Sequence, residues 1–197
     1  MPSIALVEWE TTRANRLDEL YEIHTAIGGT ARGRRWRTQQ INWAIALRLA
    51  GEFQGFARDL HTLSTDCFAD WACGGNAQSR RVVAAALTLN RQLDRYNAQP
   101  SSIGSDFGRF GLHFWTALAA QDRRTRARQT HLERLNEARN AITHSRPAEL
   151  QTLEAAGYPI TMPTIRRWRR ALSALATTMD AVMANHLAGL FSRAQPW

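Results

Sequence analysis

Ile41-Asn42-Trp43-Ala44-Ile45-Ala46-Leu47-Arg48-Leu49 opens the stretch that decides the fold, and its pattern runs on through Phe53, Phe56, Leu60 and Leu63. The apolar positions follow one another at steps of four or three, the period of an α-helix and not of a strand. Trp43 and Leu47 widen the face. A stripe that broad marks the central helix of a bundle. Gly51 and Gly55 stand four apart on one face, where they either admit a close helix neighbour or merely weaken the helix.

On the N-terminal side, residues 10–27 read as a first helix through Leu17, Leu20, Tyr21 and Ile27, stopped by Gly28-Gly29. Residues 1–9 read as an extended or disordered arm. Arg32-Gly33-Arg34-Arg35-Trp36-Arg37 is a basic connector. On the C-terminal side, residues 64–77 read as a short helical extension and a turn around Gly74-Gly75. Residues 78–97 return to helix through Val82, Val83, Ala86, Leu89 and Leu93. Gln99 to Asp106, with Pro100 and Gly104, reads as a loop. Phe107 to Ala120 reads as a helix that buries Phe110, Phe114, Trp115 and Leu118. A polar helix spans about 124–145. A loop follows, with room for a short helix at 148–156. Pro163 opens a last helix whose stripe is Ile165, Trp168, Leu172, Leu175, Met179, Val182 and Leu190. No strand pattern and no repeat stands out, so the expectation is one all-α domain over 1–197, a bundle of about five to seven helices.

Composition narrows the function classes. All 25 basic side chains are Arg, and the net charge is +8. That balance favours polyanionic partners such as RNA, although an Arg-rich soluble surface gives the same count. Cys67 and Cys73 fit neither a zinc set nor a disulfide framework, which points to a reducing, cytoplasmic setting. No run approaches the ~18 apolar residues of a membrane span, and the first residues lack the pattern of a secretion signal.

The polar helix carries the densest chemistry, in Glu137-Ala138-Arg139-Asn140-Ala141-Ile142-Thr143-His144. Leu132, Leu135, Ala138 and Ile142 form its apolar stripe. On a wheel of about 100° per residue, Arg139 flanks that stripe, His144 points away from it, and the two stand roughly 140° apart. Pro147 disfavours helix at Arg146, so His144 falls in the last turn. The helix dipole favours positive charge there, while Arg139 and Arg146 oppose more of it. RNA carries its own nucleophile in the 2′-OH, and a His and an Arg suffice in principle to cleave it. His144 offers acid–base chemistry. Arg139 offers fixed donors for phosphate oxygens. Asn140, four residues before His144, is placed to orient the imidazole or to donate to phosphate. The plain alternative is an Arg at the edge of a stripe and a surface His at a helix end.

Arg139-Asn140-(x)3-His144 resembles the Arg-x4–6-His signature of HEPN domains, whose preferred form is Arg-Asn-x-x-x-His near a helix end. The resemblance covers most of residues 30–192. It implies an all-α, usually dimeric protein of a class in which many members are metal-independent ribonucleases acting as toxins or phage-defence effectors. It implies catalytic roles for Arg139 and His144 and, less directly, for Asn140. It also implies a homodimer with the site at the interface, and an antitoxin or defence-complex partner. HEPN toxins regulated by AMP transfer often carry Tyr two residues after the His; here that residue is Arg146, which argues against such control.

Three Arg clusters remain: 32–37, 123–128 and 166–170. Arg124, Arg126 and Arg128 share the helix of the motif and are taken, with Arg146, as RNA-steering residues. Arg166, Arg169 and Arg170 share a face opposite Trp168, which suits a phosphate track and a solvated face equally. Among the histidines, His61, His113 and His186 read as packed, and His131 as a surface residue with a second claim to reach RNA. No pair of His, Cys, Asp or Glu has metal-ligand spacing, and no cofactor is expected.

Overall fold

The computed structural model describes residues 1–28 and 35–197, with backbone alone for 35–37; the Arg32–Arg34 part of the first basic cluster lies outside the described residues, as do the side chains of Arg35 and Arg37. The fold is all-α, and no strand occurs among the described residues. The helices are α1 (Ile4–Glu8), α2 (Ala14–Gly28), α3 (Arg35–Cys73), α4 (Ala77–Thr88), α5 (Gln92–Arg95), α6 (Pro100–Gly108), α7 (Phe114–Gln121), α8 (Thr125–Thr143), α9 (Pro147–Ala155) and α10 (Met162–Phe191), with a π-helical turn over Trp9–Arg13.

The 39-residue α3 is the central helix, and Ile45, Leu49, Phe53, Phe56 and Leu60 on its stripe are fully buried. α10 runs parallel to it. Asn42 donates to the Ile160 carbonyl at one end (3.3 Å), and Phe68 and Trp71 meet the Phe191 ring edge-on at the other (5.2 and 5.6 Å). α8 lies antiparallel to α10, joined by Arg128 to the Thr178 hydroxyl (3.3 Å) near one end and by Arg134 and Arg167, both against the Tyr158 ring, further along. A single apolar cluster runs from Ala5 through α3, α6, α7 and α8 to Leu187.

Several boundaries differ from the sequence reading, each for a local reason. The first nine residues are neither extended nor disordered: Ser3 caps α1 through its hydroxyl (3.1 Å to the Leu6 N–H), and Ala5, Leu6 and Trp9 are buried. The helical extension expected beyond residue 63 is continuous with α3 and runs to Cys73, and the turn falls where expected, at Gly74 and Gly75, which take positive φ (54° and 88°) that glycine adopts without a Cβ clash. The helix expected over 78–97 breaks at Asn90 (φ 54°), and Val82 and Leu89 face solvent. The expected loop 99–106 is instead α6, with Pro100 in its first turn. Its buried Asp106 carboxylate accepts the N–H groups of Gln92 and Leu93 (2.8 Å each) and so caps α5. Phe107 and Phe114 stack at 4.4 Å across the Gly111 bend between α6 and α7.

The two glycines of α3 part ways. Gly51 faces solvent, with nothing near where a Cβ would point. Gly55 lies under the Arg13 guanidinium, which bridges Glu52 (2.6 Å) and Asp59 (2.5 Å) and joins the N-terminal segment to α3. No described helix is long and apolar enough to cross a membrane.

Candidate functional site

The C-terminal end of α8 is held by a complete capping motif. His144 is the cap residue and its N–H bonds to the Asn140 carbonyl (3.0 Å). Ser145 takes the left-handed conformation (φ 51°), its N–H reaches the Ile142 carbonyl (3.2 Å), and the Arg146 N–H reaches that of Ala141 (2.8 Å). This is the Schellman arrangement, built on Ser where Gly is usual, and Pro147 opens α9 directly behind it. The backbone under His144 is therefore fixed. Its imidazole is exposed and makes no hydrogen bond to the described chain.

Arg139 and Asn140 are half-buried beside it. The Asn140 side-chain carbonyl accepts from Asn97 Nδ2 (2.6 Å) and from Arg139 Nη1 (3.2 Å). Arg139 has no carboxylate partner among the described residues. The Asn140 side-chain oxygen thus holds the guanidinium, and its side chain makes no hydrogen bond to the imidazole of His144. No hydrogen bond joins Arg139 to His144 within the chain, in keeping with their separation around the helix.

Two asparagines that sequence reasoning passed over complete the support. Asn136, almost wholly buried, donates to the carbonyls of Ala98 (3.0 Å) and Leu132 (2.9 Å), and this pins the segment before α6 against α8. That segment delivers Asn97. An Asn within an apolar stripe was a legible signal for Asn136; nothing local marks Asn97.

Beside this cluster, a groove of about 330 Å³ runs between α8 and α9, lined by Arg134, Glu137, Asn140, Arg146 and Glu149. Arg134, half-buried, pairs with Glu137 (2.7 Å), and the exposed Arg146 pairs with Glu149 (2.9 Å). His131 is not a free surface group. It is half-buried edge-on to Tyr158 (5.9 Å), and burial, then Arg167, lowers its pKa. His186 is held as expected, at 2.8 Å from the Phe110 carbonyl, whereas His113 is exposed at the start of α7.

Of the arginines expected to steer RNA, Arg146 is exposed but paired with Glu149, and the others divide into two kinds. Arg124, Arg126, Arg166 and Arg170 are exposed, and their side chains make no hydrogen bond or ion pair among the described residues. Arg128 and Arg169 are structural. Arg128 binds Asp122 (2.5 Å) and the Ala174 carbonyl, locking α8 to α10. Arg169 forms a two-pronged pair with Asp18, reaches the Ala14 carbonyl, and lies 5.1 Å from the Tyr21 ring, locking α10 to α2. The Arg169 pair holds the Asp18 carboxyl below the usual range. Arg126 and His144 are 18 residues apart, so about 27 Å of helix separates them. The Arg124–Arg128 group is at the far end of α8, not beside the motif.

Among the described residues no group of three His, Cys, Asp or Glu side chains is placed to hold a metal ion. No protein-family model, curated protein or solved structure matches the chain.

Proposed function

We propose that this protein is a metal-independent endoribonuclease of the HEPN type, acting at the C-terminal end of α8 as a toxin or phage-defence effector. One observation carries the reading. A half-buried Arg139 without a counter-ion, held by Asn140 and Asn97, precedes by five residues a solvent-facing His144 on a fixed helix cap. A guanidinium in that state is available to phosphate oxygens, and phosphate is the ligand its planar fork matches best.

In the proposed reaction the 2′-oxygen attacks the adjacent phosphorus as a base removes its proton. Arg139 takes up the charge of the pentavalent phosphate, and an acid protonates the leaving 5′-oxygen. Two proton-transfer groups serve this sequence and each chain offers one exposed His at the site. A homodimer that pairs the α8 ends supplies the second His144, and an antitoxin or defence-complex protein would cover the same end to silence it.

The separation of Arg139 from His144 within one chain favours a second reading, a non-catalytic module that binds RNA or a partner protein. Cleavage of single-stranded RNA in EDTA, wild type beside His144→Ala, separates the two. The first reading expects metal-free cleavage that falls by roughly 10²–10⁴-fold in the variant. Salt-dependent RNA binding without turnover supports the second, and absence of both removes RNA from the account.

A further inference from the structure

The groove between α8 and α9 and the Arg139 cluster beside it differ in charge. Each carboxylate in the groove has its own guanidinium, Arg134 on Glu137 (2.7 Å) and Arg146 on Glu149 (2.9 Å). Arg139 has no carboxylate partner among the described residues. The matched charges leave the groove near neutral, and the unmatched guanidinium next to it attracts an anion. A nucleotide divides in the same way, into a neutral base and an anionic phosphate. At about 330 Å³ the groove is at the small end of the roughly 300–1,000 Å³ of ligand sites, which suits one planar ring system. Buried Leu153 among its lining residues gives it an apolar wall.

Asn140 belongs to both parts. A guanidinium only donates, so the Asn140 atom that faces Arg139 is the side-chain oxygen, and this settles which way the amide is turned. The same oxygen accepts from Asn97 (2.6 Å). Asn140 also lines the groove, and its Nδ2 makes no hydrogen bond among the described residues. Glu137 stands three residues earlier on α8, a neighbour on the same helical face. Arg134 engages only Glu137 Oε2 and leaves Oε1 without a partner. One wall of the groove therefore sets an amide donor beside a carboxylate acceptor.

We propose that this groove takes the base next to the phosphate held by Arg139, and that the base it selects is guanine. Guanine is the one base whose Watson–Crick edge runs acceptor, donor, donor, from O6 through N1–H to N2–H. O6 accepts from Asn140 Nδ2, and the two donors meet Glu137, whose oxygens have lone pairs to spare beyond the Arg134 bond. Uracil replaces the last donor with a carbonyl, and adenine and cytosine turn a ring-nitrogen lone pair toward the carboxylate. Arg146, at the start of α9, offers a guanidinium plane of the kind that unpaired bases stack on. The inference rests on the RNA reading of the site; it concerns which RNA is taken, not how the chain is cut.

Binding is measured by fluorescence anisotropy with His144→Ala, so that no probe is cut. The probes are short oligouridines with one central guanosine, adenosine or cytidine, or none. The guanosine probe should bind about 5- to 20-fold more tightly than the other three. Glu137→Gln, which keeps the shape but loses one acceptor oxygen, should remove most of that preference with an unchanged circular-dichroism spectrum. Glu133→Gln makes the same change of charge one turn earlier on α8 and should retain the preference. Cleavage of a mixed-sequence RNA by the wild type in EDTA should map beside guanosine. Equal binding of all four probes, a preference that survives Glu137→Gln, or one lost equally in Glu133→Gln would each overturn the inference, and cleavage by the wild type would still uphold the ribonuclease reading. A Glu137-dependent guanosine preference without cleavage would uphold the inference and give the site to the RNA-binding module instead. Binding of none of the probes would overturn both.

Discussion

Replacing His61 by Phe should flatten the acid limb of the stability profile. His61 is fully buried, its ring 5.3 Å from Phe107 and 5.1 Å from Phe110. Nε2 lies 3.2 Å from the Asp106 carbonyl, and Nδ1 is buried without a partner. Burial first, and then the nearby Arg91 guanidinium, push its pKa from 6.5 to about 4. The imidazole is therefore neutral in the fold at a pH where the unfolded chain already protonates it. For a depressed His, the stability contribution is full above 6.5 and is lost as pH falls toward 4. That interval, at about 1.36 kcal/mol per pH unit, amounts to about 3 kcal/mol, a large share of the roughly 5–15 kcal/mol that holds a domain together.

Urea denaturation of both proteins at several pH values between neutral and 4 measures the effect. The variant loses the bond to the Asp106 carbonyl, a cost of about 1 kcal/mol that does not vary with pH. Burial raises the pKa of Asp180, and Arg partners lower those of Asp18 and Asp94. Asp18 and Asp180 titrate alike in both proteins and cancel in the difference, while Asp94 keeps its main partner, Arg91, and loses only the smaller lowering effect of His61. Wild type should lose about 3 kcal/mol more than His61→Phe on going from neutral pH to 4. Parallel profiles would refute the reasoning and mean that His61 is protonated inside the fold.

Three further outcomes test separate parts of the structure. Gly51→Ala should stabilise the protein by about 0.5–1 kcal/mol, because the site is open and helical; Gly55→Ala should destabilise it by about 1–3 kcal/mol by displacing Arg13 from Glu52 and Asp59, and thermal melts of the pair decide it. Ser145→Gly should raise stability by about 0.5–1 kcal/mol by relieving the left-handed backbone without altering RNA cleavage, whereas an equal or lower melting temperature would mean that the Ser side chain supports the cap. Arg139→Lys should cleave RNA far more slowly than wild type, because Lys keeps the charge but not the fork that holds Asn140 and phosphate together; near-native rates would reduce Arg139 to a point charge.

The long elements were legible because their apolar period is strong. Ile45, Leu49, Phe53, Phe56 and Leu60 repeat over four turns of α3, and all five are buried. α6 was not legible, because Pro100, two Ser and Gly104 resemble a loop when read locally; its helix is held by Pro100 in the first turn and by buried Asp106 reaching α5. The outer face of α4 was misread for a different reason. Val82 to Leu87 is apolar all round, so periodicity cannot choose which side packs. The motif was readable as a spacing of Arg139, Asn140 and His144, but the bond from Asn97 spans 43 positions and no local pattern announces it. Arg169 looked like part of a phosphate track because Asp18, its partner, is 151 positions away.

The same distinction fixes what a polyanion would meet. A net charge of +8 is a property of composition; the field outside the protein depends on which guanidinium groups lack a counter-charge. Arg13 lies between Glu52 and Asp59, Arg91 clasps Asp94, and Arg109 closes the end of α4 on the carbonyls of Leu87 (2.9 Å) and Leu89 (2.6 Å). Arg128 and Arg169 are bound as described above. Leaving aside Arg167, which bonds the Gly157 carbonyl and lies over the Tyr158 ring, the groups without a counter-charge around α8 and the start of α10 among the described residues are Arg123, Arg124, Arg126, Arg139, Arg166 and Arg170. A single strand that engaged all six would release counterions in proportion, for a log–log salt slope of about −4. Arg124→Gln with Arg126→Gln should bring the slope down by about 1.4 while leaving the helix content as it was. Filter binding or fluorescence anisotropy of a single-stranded RNA across a salt series reads both quantities. A fall in slope of the same size on Arg128→Gln with Arg169→Gln would mean that these two exchange Asp122 and Asp18 for phosphate, and the division of the arginines into structural and free would then be wrong.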